Sequence, residues 1–274
     1  MSHYELIGFD MDGTILNSQK TISPRTLDAV NRAARMGKRV ILSTGRCISE
    51  LEEFRDVLAS VSHYVCESGA LIYDAGRQRV LHSETLPPDL VDQVLEIAAH
   101  EDVMVYMMSS GQALANKSQV ADTGRYHMGI YQKMMDRVVN KTDDIAALYR
   151  EKHFPVEKLN LFSASADIRE RLHSRICRLP LALTYAEGAS LELSPLNVSK
   201  ASGLVWLCRH LDIPLHKTII VGDADNDAQV LQIAGLSVAM GNALPHIKEG
   251  CDVVVADNDH DGCAEAVDLY LLKD

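Results

Sequence analysis

Asp10-Met11-Asp12-Gly13-Thr14 carries the sharpest chemical signal in the chain. Two carboxylates two residues apart on extended backbone project to the same side. So placed, they can share a hard cation, or divide into one nucleophile and one acid/base, and the two uses are compatible. Gly13 lets the chain turn sharply just beyond them. A merely solvated acidic loop does not call for an apolar run before it and Gly-Thr behind it.

Three further segments could close a site around this pair. Ser43-Thr44-Gly45-Arg46 offers a hydroxyl and a backbone N–H for an anion at a helix N-terminus, although a plain helix cap reads the same way. Lys200 follows a strand-like Leu191-Glu192-Leu193 and a Ser194-Pro195 turn, and opens an apolar-periodic helix; alone it reads as a surface lysine. Gly222-Asp223-Ala224-Asp225-Asn226-Asp227 puts three acids and an amide behind an apolar run. In isolation that is a calcium loop or a turn, and its position after a buried strand favours a metal site.

The elements that must position these segments are strands alternating with helices. Leu6–Phe9 reads as a short strand; Ser23-Pro24 caps and opens a helix that Gly37 closes. Residues 40–42 and 64–66 read as further strands, 48–58 as a helix, and 71–81 as a hairpin around Asp74-Ala75-Gly76. The same grammar returns at 218–221, 236–239 and 253–255, with helices starting near Asp225, Leu244 and Gly262. This alternation predicts a Rossmann-like parallel sheet covered on both faces, and ligands there bind beyond the carboxyl ends of the strands.

Between about residues 85 and 187 the pattern changes. A helix from Pro87-Pro88 through His100 precedes strand-like runs at 103–109, 112–116, 159–163 and 181–185. The expected organisation is α/β, with a core domain from 1–84 and 188–274 and an inserted α/β cap domain at 85–187. Six of the ten methionines and seven of the 14 aromatics fall in the insert. They read as its own core, or as a lid in which Tyr126, Met128 and Tyr131 face a ligand.

In this order the four segments resemble the haloacid dehalogenase superfamily of phosphohydrolases, specifically its Cof-type branch with a large α/β cap between the second and third motifs. The resemblance covers essentially the whole chain. D-M-D-G-T matches the first motif, S-T-G-R the second, Lys200 the third, and G-D-A-D-N-D the fourth. Lesser matches are Gly69-Ala70-Leu71-Ile72-Tyr73, Ala239-Met240-Gly241-Asn242-Ala243 and Asp261-Gly262. The chain departs from the pattern at Ser68, where Asn is usual, and at Asn197 and Ala201, where the family has Gly.

The resemblance implies a phosphomonoesterase acting on small phosphorylated metabolites, with sugar phosphates first and pyridoxal phosphate or a flavin mononucleotide next. It makes Asp10 the nucleophile that becomes an aspartyl-phosphate, and Asp12 the group that protonates the leaving oxygen and then activates water. Thr44, the N–H groups of Gly45 and Met11, Asn226 and Lys200 would hold the phosphoryl oxygens. Mg²⁺ would take Asp10, the Asp12 carbonyl and Asp223, with Asp227 in support. Charge agrees: four aspartates and a phosphate ester cannot assemble without cations, and one carboxyl, expected at Asp12, must carry a proton. The same motifs can serve a phosphomutase. A signalling receiver also phosphorylates an aspartate, but has no need of Asp12 or of a hundred-residue insert.

Composition narrows the partners. Twenty-seven Lys and Arg against 38 Asp and Glu give a net charge of −11, which disfavours nucleic-acid and anionic-membrane partners. The insert is nearly neutral, so the excess sits on the catalytic half. The six scattered cysteines form no C-x-x-C pair and read as thiols of a reducing, cytoplasmic compartment. Neither a secretory leader nor a run approaching the ~20 residues of a membrane span is expected. Asp257-Asn258-Asp259-His260-Asp261-Gly262 imitates an EF-hand loop but follows a β-branched strand and lacks the twelfth-position Glu. Oligomeric state has no signal in the sequence.

Overall fold

The structure is a computed structural model and describes residues 3–186 and 189–273. The chain divides into two compact units. One comprises Met1–Gly45, Phe54–His82 and Ser199–Asp274; the other comprises Arg46–Glu53 and Ser83–Val198. The expected domain boundaries lie after residues 84 and 187; the second unit takes up the chain at Ser83. The second boundary, between 187 and 188, lies outside the described residues, and the inserted unit continues to Val198.

The described strands form two sheets. They are β1 (Leu6–Phe9), β2 (Arg39–Ser43), β3 (His63–Cys66), β4 (Leu71–Asp74), β5 (Arg79–Ser83), β6 (Val103–Ser109), β7 (Gln112–Asn116), β8 (Val139–Thr142), β9 (Lys158–Ser163), β10 (Leu181–Ala186), β11 (Ser190–Pro195), β12 (Thr218–Gly222), β13 (Leu236–Ala239) and β14 (Val253–Val254).

In the first unit the sheet order is β14-β13-β12-β1-β2-β3-β4-β5. The strands from β14 to β3 run parallel, and β4 turns back antiparallel on β3. Every residue of β1 and β12 is buried, as expected of parallel strands covered on both faces. Each fully buried Leu or Ile there contributes ~1.5–3 kcal/mol by leaving water. Phe9 stands opposite Leu42 on one side and Val221 on the other, so β1, β2 and β12 end within one residue of one another. Asp10, Thr44 and Asp223 therefore emerge along one edge of the sheet.

Helix Pro24–Arg35 begins as its sequence requires. Ser23 Oγ accepts the N–H of Thr26, Pro24 occupies the first turn, and Ala29, Val30 and Ala33 form the buried stripe. Helix Lys200–Leu211 is capped by Ser199, with Ser202 answering reciprocally.

The second unit holds the sheet β10-β11-β9-β6-β7-β8, antiparallel except for the β7–β8 pair. Its strands alternate between two clusters. Val103, Val105, Met107, Leu159, Leu161, Leu191 and Leu193 join residues of helices Pro88–Ala98, Ile145–Lys152 and Ala166–Ile176. Met104, Tyr106, Met108 and Phe162 belong to the other cluster with Tyr126, Met128, Tyr131 and Met135. Most methionines and aromatics of the insert are thus its own core, Tyr185 staying exposed, and the three residues considered for a lid are packed within it. One reading shifts: the strand containing Leu191-Glu192-Leu193 belongs to this sheet, between β9 and β10, and not to the half that carries Lys200.

Candidate active site

The loop after β1 is a tight structure held by its own backbone. Thr14 N–H and Leu16 N–H both donate to the Met11 carbonyl, and Asp10 N–H donates to Val221 of β12. Gly13 sits at φ +82°, and a Cβ there would lie 2.4 Å from Asp223 Oδ2, so glycine is required both by conformation and by the neighbouring carboxylate.

Lys200 is the centre of the charge arrangement. Its side chain is 1% exposed, and Nζ donates to Asp10 Oδ1 at 2.6 Å and to Asp227 Oδ1 at 2.7 Å. Burial alone would lower the ammonium pKa, but the Asp10 and Asp227 carboxylates outweigh it and hold the value raised. Lysine reaches this position because helix Lys200–Leu211 starts against the turn at Gly69. A Cβ on Gly69, at φ +102°, would fall 2.0 Å from the Ser199 carbonyl oxygen. The departures from the family pattern fit here too: Ser68 (φ +57°) and Asn197 (φ +72°) both adopt the left-handed conformation. The second is the geometry a glycine would have supplied.

Asp227 braces the loop after β12, its Oδ2 accepting the N–H groups of Asp223 and Ala224 at 3.1 and 3.3 Å. Asp223 accepts the Thr14 hydroxyl at 2.6 Å. Asp10, Asp223 and Asp227 bring carboxylate oxygens within 4.8 Å of one another. Burial, with the other carboxylates, pushes Asp10 up to about 8 despite Lys200, and burial pushes Asp223 up to about 6.

A divalent hard cation fits these residues. The donor set is oxygen only, its three carboxylates exceed the one lysine in charge, and the buried Asn226 Oδ1 has no hydrogen-bond partner among the described residues. The remaining expected residues are placed as follows. Thr44 is buried at the end of β2, its N–H donating to Val65 and its carbonyl accepting Ser68 N–H. Gly45 follows it as the last residue of that segment of the first unit. Met11 is fully buried, and its carbonyl accepts the Thr14 and Leu16 N–H groups. Asp12 accepts Lys20 Nζ at 2.8 Å.

Sequence reasoning missed three supporting residues. Thr14 was seen only as part of a motif. Lys20 gave no signal, and Asn242, which donates through Nδ2 to the Gly13 carbonyl at 2.8 Å, appeared only inside a lesser match.

Comparison with known proteins gives the chain's family. The haloacid dehalogenase-like hydrolase family matches residues 7–267. Phosphatase YwpJ of Bacillus subtilis is 30% identical over 95% of this chain and 97% of its own. HMP-PP phosphatase of Serratia proteamaculans is 26% identical, covering 89% and 86%. A solved haloacid dehalogenase-like hydrolase from B. subtilis superposes with a TM-score of 0.86 at 26% identity, over 96% of this chain and 99% of that one.

Proposed function

The chain belongs to the haloacid dehalogenase-like hydrolases and is a phosphatase of that family, and from its site we propose a Mg²⁺-dependent phosphomonoesterase of small phosphorylated metabolites. The observation that carries this is Asp10, buried at a strand end, hydrogen-bonded to Lys200 and clustered with Asp223 and Asp227. Such an aspartate is aimed and charge-compensated for attack on an anionic centre.

In this reading Asp10 attacks phosphorus, the bond from phosphorus to the ester oxygen breaks, and Asp12 gives that oxygen its proton. Asp12 then takes a proton from water as the water attacks phosphorus, and the bond to Asp10 breaks, releasing inorganic phosphate. Lys200, Thr44, Asn226 and the N–H groups of Met11 and Gly45 hold the phosphoryl oxygens. Asp10, the Asp12 carbonyl and Asp223 would hold Mg²⁺, with Asp227 supporting. When bound, the ion offsets the negative charge that these acids and the phosphoryl group bring together.

We assign the choice of leaving group to the inserted unit, with sugar phosphates as the first class, followed by pyridoxal phosphate and flavin mononucleotide. A cytoplasmic location accords with six free cysteines. No described helix is long and apolar enough to cross a membrane. The test is a panel of phosphorylated metabolites assayed with and without Mg²⁺, alongside Asp10→Asn. Phosphate release that requires both the ion and Asp10 is expected; no release from any compound, or full activity in the variant, would overturn the reading.

A further inference from the structure

The sheet of the first unit has a second end. Asp10, Thr44 and Asp223 stand where parallel strands finish; where β2 and β3 begin and antiparallel β4 ends lies a separate cavity of about 420 Å³. Arg39 opens β2, His63 opens β3 opposite Asp74, and Ser62, Arg77 and His210 complete its polar lining. The volume lies within the ~300–1,000 Å³ common for small-molecule sites.

Its charge runs against that of the chain. Two guanidinium groups and two imidazoles face one carboxylate, in a protein of net charge −11. Asp74 does not neutralise the set. Both its oxygens are engaged by Arg77, one by the backbone N–H and one by Nη1, each at 2.9 Å. This fixes the base of Arg77 while its side chain stays 73% exposed. Arg39 makes no ion pair among the described residues. Burial lowers the pKa of His63; of the neighbouring charges, Asp74 raises it and Arg39, His210 and Arg77 lower it. Phosphoryl chemistry at the other end of the sheet has no use for this cluster.

We propose that this cavity binds a small multivalent oxyanion, a di- or tricarboxylate or a phosphate-bearing metabolite, with Arg39 and Arg77 donating to its oxygens and His210 at the rim. Guanidinium forks match carboxylate and phosphate oxygens alike. The site lies outside the catalytic centre and concerns a ligand that is not turned over.

The protein carries its own reporter. Trp206, the sole tryptophan, stacks on His210 with ring centroids 5.2 Å apart and planes 13° from parallel. In Mg²⁺-free buffer, the full chain is titrated separately with citrate and with inorganic phosphate, with chloride matching ionic strength, while Trp206 fluorescence and binding heat are followed. A saturable response to at least one anion is expected, and the anion that gives it identifies the ligand as carboxylate or phosphate. Arg39→Ala and Arg77→Ala, both at exposed side chains, should each weaken it about tenfold or more and leave phosphatase turnover unchanged. Absence of saturable binding by both readouts, or wild-type affinity in both variants, would overturn the proposal.

Discussion

Thr14 Oγ1 donates to Asp223 Oδ1 at 2.6 Å, joining two loops 209 residues apart in sequence. The bond orients a proposed metal ligand through a residue that would not touch the ion. Partners of this kind typically change metal affinity ~10–100-fold. Thr14→Val keeps the shape and removes the donor, so the Mg²⁺ concentration for half-maximal phosphate release should rise about tenfold or more, with Thr14→Ser close to the native value. An unchanged metal requirement in Thr14→Val would detach the hydroxyl from this role.

Asp12 accepts Lys20 Nζ, whereas Lys200 donates to Asp10 and Asp227, so replacement of Asp12 should leave the Lys200 ion pairs standing. Asp12→Asn is expected to bind a phosphate analogue as the native protein does while turnover falls ~10²-fold or more. Turnover equal to the native enzyme's would remove Asp12 from acid/base work.

Burial holds Asp10 up to about 8 and Asp223 up to about 6, against an ordinary 3.8. The metal-free folded state therefore binds more protons than the unfolded chain between pH 3.8 and these values. Its stability falls as pH rises through that window. A divalent ion needs the ionised carboxylates, so its stabilising effect should grow over the same range. Thermal unfolding at pH 5, 6, 7 and 8, in chelator and in Mg²⁺, checks this; parallel curves would contradict it.

Gly69 has a Cβ position 2.0 Å from the Ser199 carbonyl, so Gly69→Ala must push back the start of the helix that carries Lys200. Stability should fall by about 1–3 kcal/mol and phosphate release should fall with it. Gly250→Ala, where no atom lies within 4 Å, is the control and should change little in either denaturant unfolding or activity. Equal behaviour of the two variants would show that the approach at Gly69 is not tight.

The sequence made the acidic ends of β1 and β12 legible because buried parallel strands are short apolar runs, and polar residues directly behind them have little choice of place. Lys200 was legible only by resemblance. Nothing in its helix tells that the chain brings it to Asp10; the close approach at Gly69 does that, and it depends on left-handed backbone at Ser68 and Gly69. Lys20 was invisible for a related reason, since its contact with Asp12 arises from the path of a loop. The alternation at Leu191 marks a strand but not the half of the molecule to which it belongs. Alternation reports that one face is buried, not against which sheet, and Leu191 and Leu193 pack on helices of the insert.

The pairing of β1 with β12 has a consequence for how the molecule is made. Leu6–Phe9 is synthesised before the inserted unit, but one of its two neighbours, Thr218–Gly222, is synthesised only after it. Until then β1 is an apolar strand with an open edge, the kind of segment that invites intermolecular pairing and chaperone binding. Asp10 likewise waits for its partners, because Lys200, Asp223 and Asp227 all follow the inserted unit in the chain.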